Sequence, residues 1–181
     1  MQLNLFAEDN RLEKLTELGD SLLKLNVVNW ESFRPAIERA LYKDRKSNAG
    51  RHSYDVVMMF KILVLQRLFN ISDDQTEFQI NDRMSFMRFL GLSLGDKVPD
   101  AKTIWLYREN LTKAGIIDQL FIDYCKELEE KGQKVKILVD NVYYDDRGVI
   151  FRIDALEELM HKGSMKFIVF ENNENGFSSF N

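Results

Sequence analysis

Ser53–Phe69 reads SYDVVMMFKILVLQRLF, and this stretch decides the fold. Drawn as a helix it is apolar on nearly every side, broken chiefly by Lys61, Gln66 and Arg67. A helix that is apolar all round belongs inside a protein core or inside a membrane. A membrane span needs about 20 mostly apolar residues, and the three polar side chains cut this run short of that. The segment predicts a central, buried helix with Ser53 as its N-cap.

Helical signals continue on both sides. Downstream, Ser72 and Gln75 fit a capping box, with Asp73 and Asp74 at the positive end of the helix dipole. Phe86, Phe89 and Leu90 make a further apolar face, and Gly91 suits a left-handed C-cap. LSLGDKVP reads as a turn, after which Asp100 caps AKTIWLYRENLTKA and Gly115 ends it. Ile104, Tyr107 and Leu111 fall on one side of that helix, and Lys102, Trp105, Glu109 and Lys113 on the other. A last helix turns Ile117, Leu120, Phe121, Tyr124 and Leu128 inward and stops near Gly132. Upstream, KDRKSNAGRHS (43–53) reads as a loop. A helix is expected from Ser32, with Pro35 in its first turn, where a missing N–H costs little. Its inner face holds Phe33, Ile37, Ala40 and Leu41. Leu12, Leu15, Leu18, Leu22 and Leu25 recur at three- and four-residue steps and predict one more helix.

After Gly132 the period changes. KVKILVDNVYY, GVIFRI and MKFIVF read as strands, with DDRG as a turn and DALEELMHKG as a short helix. The polar stretch ENNENGFSSFN is expected to fray. The expected fold is mainly α. A helical domain with a helix-turn-helix-like segment covers residues 1–132, and a small α/β piece covers 133–181.

The composition agrees with a folded domain. The 181 residues are 45% hydrophobic and 30% charged, which excludes a disordered tail. Cys125 is the one cysteine, so an internal disulfide is excluded. Two prolines and nine glycines exclude collagen-like and proline-rich classes. The opening MQLNLFAEDNRLEKL has no basic leader and carries Glu8 and Asp9, so no export signal is expected. With the lone cysteine, this places the expected location in the cytoplasm, associated with the nucleoid.

Charge is uneven along the chain. Its formal net charge is −4, yet residues 34–70 hold 8 basic and 3 acidic groups, a block of +5. Residues 117–181, with 8 basic and 13 acidic groups, stand at −5. A polyanion responds to such a local field, screened over about 8 Å at physiological salt. An ordinary solvated face would carry the same charges.

A short helix pair ending FLGL, a turn, and a helix opened by Asp100 could present that last helix to a major groove. Lys102, Thr103, Trp105 and Arg108 are then the candidate DNA contacts. Lys and Arg neutralise phosphates, Thr can donate to a phosphate oxygen, and Arg can read guanine. Glu109 on the same face opposes phosphate contact. Trp105, opposite the apolar stripe, suits base stacking, a dimer seam or a seat for the C-terminal segment.

In combination, RKSNAGR before an apolar helix, FLGL, and VPDAKTIWLYRE resemble the N-terminal domain of the InsH-like insertion-sequence transposases, over about residues 11–132. The resemblance implies a helical module that binds the terminal inverted repeats of its element. It implies that Arg45, Lys46 and Arg51, with the Lys102–Arg108 helix, meet double-stranded DNA. In that family a ribonuclease-H-like domain follows, with three carboxylates and two divalent metals. Here ILVDN places Asp140 near the first carboxylate, with Asn141 where the family has a small residue. The family's second Asp and its Glu have no counterpart, so the chain reads as a truncated transposase for which catalysis is not expected.

The remaining chemistry is sparse. Asp140, Asp145, Asp146, Asp154, Glu157 and Glu158 could together hold a divalent cation, yet turns, a helix cap and an exposed helix face explain them as well. His52 and His161 lack zinc-ligand spacing, and Cys125 lacks a nucleophile's signature. The expected function is DNA binding in transposition, with no cofactor required and no membrane partner. Co-assembly with another copy or with full-length transposase fits the resemblance. The alternatives are a protein-interaction remnant that dimerises, and a small nuclease that uses Asp140 with Mg2+ or Mn2+.

Overall fold

A computed structural model describes residues 7–42, 54–139 and 165–170. The order is α1 (Ala7–Glu17), 3₁₀ turns over Ser21–Val27 and Trp30–Phe33, then α2 (Arg34–Leu41) and α3 (Val56–Phe69). There follow α4 (Asp73–Asp82), α5 (Met84–Leu90), α6 (Ala101–Lys113), α7 (Ile117–Glu130), β1 (Lys134–Val139) and β2 (Met165–Phe170). The protein is mainly helical, as the periodicity requires.

α3 is the centre. Val57, Met59, Phe60, Ile62, Leu63, Val64, Leu65 and Leu68 are all buried along it. Its N-cap is Asp55, whose carboxylate accepts the Met58 N–H at 2.9 Å. This corrects the expected cap at Ser53, which lies outside the described residues. A capping oxygen must reach an N–H two or three residues ahead, so the residue directly before the first helical turn takes the role. Asn70, at φ 50°, closes the far end in the left-handed conformation.

The leucine stripe at 12–25 is two elements, not one helix. α1 stops at Glu17, and Gly19 turns the chain at φ +83°. The Asp20 carboxylate then accepts the Leu22 N–H at 3.0 Å and starts the Ser21–Val27 turn. Leu22 and Leu25 are buried, whereas Leu18 at the end of α1 is 72% exposed. Likewise a 3₁₀ turn, Trp30–Phe33, occupies the place expected for the start of a helix at Ser32. α2 begins only at Arg34, with Pro35 in its first turn and Ile37 buried.

The other caps stand where the sequence puts them. The Ser72 hydroxyl accepts the Gln75 N–H at 3.2 Å, and Asp100 accepts the Thr103 N–H at 2.7 Å. Gly91 closes α5 at φ +73°. Ile104, Tyr107 and Leu111 of α6 are buried, as are Leu120, Phe121, Tyr124 and Leu128 of α7.

Trp30 ties these pieces into one core. Its ring centroid lies 6.3 Å from Phe33, 6.2 Å from Phe60 of α3, 5.4 Å from Phe89 of α5 and 5.5 Å from Tyr124 of α7. The indole N–H donates to the Leu25 carbonyl at 3.2 Å, so its polar atom is satisfied inside the core.

β1 and β2 pair antiparallel, from Lys134 opposite Phe170 to Val139 opposite Met165. β1 follows α7, and β2 lies beside α3. GVIFRI, DALEELMHKG, the 171–181 segment and the 43–53 loop lie outside the described residues. No helix among the described residues is long and apolar enough to cross a membrane.

Candidate nucleic-acid interface

The first turn of α6 is closed by the protein's own acids. Besides the Asp100 cap, Glu77 of α4 accepts the Ala101 N–H at 2.7 Å. A free helix N-terminus attracts phosphate through its unpaired amides and the dipole. Here two carboxylates already stand at that end, so these amides of α6 are not open to a phosphate. Lys102 is exposed, Thr103 is half-buried, and Trp105 is 47% exposed.

Arg108 has a different place from the rest. Its guanidinium grips Asp73 of α4 through two bonds of 2.7 Å, and Nη1 also donates to Gln66 of α3 at 3.1 Å. Gln66 in turn donates to Asp73 at 2.7 Å. The hydrogen bond from Arg108 holds the Asp73 carboxyl below the usual range, against the opposing effect of burial. A bidentate guanine contact would need the same N–H fork. Arg108 is therefore a positioning residue that locks α3, α4 and α6 together. The sequence marks Asp73 as a helix-dipole residue and gives no sign of this partner, which lies 35 positions away.

The helix pairing also differs from a tight helix-turn-helix. Residues 91–100 separate α5 from α6, where such motifs use a turn of about three or four residues. The side-chain bonds that seat α6 come from α4, through Glu77 and Asp73, and from α3, through Gln66 and the Val56 carbonyl, which accepts the Tyr107 hydroxyl at 2.8 Å.

The +5 block divides by role. Arg34 binds Glu31 at 2.6 Å and Asp55 at 2.7 Å, fastening α2 to the cap of α3. Lys61 sits 5.4 Å over the Trp30 ring and 5.3 Å over Phe89, and donates to the Phe89 carbonyl at 3.2 Å. Burial lowers its pKa. Arg67 lies 5.8 Å over Phe121. Those three cations are engaged by the fold. Arg39, on the last turn of α2, is exposed. Arg45, Lys46 and Arg51 lie outside the described residues, as do Asp140, the other carboxylates of the C-terminal segment, His52 and His161. Among the described residues no group of three or more His, Cys, Asp or Glu is gathered for a metal. Cys125 is buried, and burial pushes its thiol up to about 12, which makes it inert at neutral pH.

The family model for a transposase domain (DUF772) matches residues 5–110 of this chain. No solved structure matches it.

Proposed function

The chain belongs to the DUF772 transposase-domain family, and from that premise we propose that its helical module binds duplex DNA at the terminal inverted repeats of its element. The observation that carries this reading is the +5 block at 34–70 in a chain of net charge −4. Arg34, Lys61 and Arg67 are engaged by the fold. Of the cations of the α2–α3 connection, Arg45, Lys46 and Arg51 are the ones assigned to phosphates. Lys102 and Thr103 of α6 add phosphate contacts, and Trp105 adds a stacking surface. Arg108 acts indirectly, by setting the pitch of α6 on α4.

Phosphate contacts position a protein on DNA without reading its sequence. The combined change Arg45→Ala, Lys46→Ala and Arg51→Ala should therefore weaken binding alike on an inverted-repeat duplex and on a scrambled one. Mobility-shift titration of both duplexes checks this. Unchanged affinity for both would show the loop to be a solvated face and defeat the proposal. This mode of binding needs no metal. Strand cutting through Asp140 would need Mg2+ or Mn2+.

A further inference from the structure

α1 is the least buried helix of the bundle. None of residues 9–17 is fully buried. It is held on α5 chiefly by Arg88, which donates to the Leu12 carbonyl at 3.0 Å and the Thr16 hydroxyl at 2.8 Å, and pairs with Asp20. On the other side, α1 and the start of α5 leave an open groove of about 340 Å³. Leu15 and Met84 floor it, and Arg11, Lys14, Leu18 and Arg83 rim it. Leu18 stands 72% exposed at its edge.

The charges on this face are of both signs. Asp9, Glu13 and Glu17, spaced by four, form an acidic edge on the solvent side of α1. Lys14 reaches Glu17 of its own helix at 2.8 Å, in a pair exposed on both sides. Arg83 stacks over Phe69 and Phe86, at 5.7 and 5.2 Å, which fixes its cation at the rim. Duplex DNA suits this face poorly, because the floor is apolar and three carboxylates run beside it. An isologous contact needs one patch that carries both knob and hole, and both charges.

We propose that this face binds a second copy of the chain across a two-fold axis. Leu18 of each copy enters the groove of the other between Leu15 and Met84. Glu17, next to it, meets Arg11 and Lys14 of the opposite copy. The patch is small, and interfaces below about 1,200 Å² of total buried area belong to weak associations. The dimer therefore forms reversibly at high protein concentration.

Sedimentation velocity of the whole chain over a rising concentration series tests the proposal. The expected result is a monomer–dimer equilibrium. Leu18→Glu acts twice per dimer and should weaken it about a hundred-fold, a tenfold loss for each buried leucine. Phe78→Glu, at an exposed apolar position on α4, should leave it unchanged. Lys14→Glu and Glu17→Lys should each dissociate alone, and an equal mixture of the two should pair again. Circular dichroism confirms that each variant is folded. A wild-type chain that stays monomeric, a dimer indifferent to Leu18→Glu, equal loss with Phe78→Glu, or a mixture that fails to pair would each overturn it.

Discussion

Replacing Arg108 by Ala leaves the Asp73 carboxylate with Gln66 alone, half-buried and without its cation. Loss of a charge-assisted pair of this kind costs about 1–3 kcal/mol at neutral pH. The Asp73 pKa is depressed in the folded protein, first by the hydrogen bond from Arg108. Its contribution is therefore present above the unfolded carboxylate value, about 3.9, and is lost as pH falls through the lower folded value. Urea denaturation of wild type and Arg108→Ala should differ by that amount at pH 7, and the gap should close below about pH 4. No gap at neutral pH, or one that persists in acid, would remove the lock. At this scale two of the capping residues were legible, because a cap is local: Ser72 and Asp100 bond amides three positions on, whereas α3 takes Asp55 and not Ser53. Arg108 was read as a guanine contact because its partners lie 35 and 42 positions back, across a fold that periodicity does not assemble.

Elements are set by short-range signals that compete. The leucines from 12 to 25 keep helical spacing straight through a turn, since a 3₁₀ segment and an α-helix both repeat about every three to four residues. Gly19 at φ +83° and the cap at Asp20 decide the matter. Asp20 has a double function: one oxygen starts the Ser21–Val27 turn and the other holds Arg88. Asp20→Ala should cost about 1–2 kcal/mol for the cap alone, and it should loosen α1 selectively, because Arg88 is what seats that helix. Hydrogen exchange should show faster exchange in α1 amides with α3 amides unchanged. Uniform acceleration, or an unaffected α1, would contradict this placement. α5, α6 and α7 were legible as elements because each joins a clear stop signal to an apolar face that the core accepts, and α4 was legible by the cap at Ser72 that opens it.

For the molecule as a whole, the sequence reading reached the central helix, the mainly α class and the β character of KVKILV and MKFIVF. The reading could not reach how four separate segments bring Phe33, Phe60, Phe89 and Tyr124 around Trp30. That convergence depends on long-range packing, which local pattern does not encode. The same convergence divides the cationic block, drawing Lys61 and Arg67 onto aromatic rings. It leaves the charge at 45–51 as the feature that the DNA-binding proposal rests on. The salt dependence of affinity for a duplex tests that proposal most directly. Contacts from Arg45, Lys46, Arg51 and Lys102 predict that log K falls with log salt at a slope of about −3 to −4, near −0.9 per phosphate. A slope near zero, or no binding in dilute buffer, would contradict it.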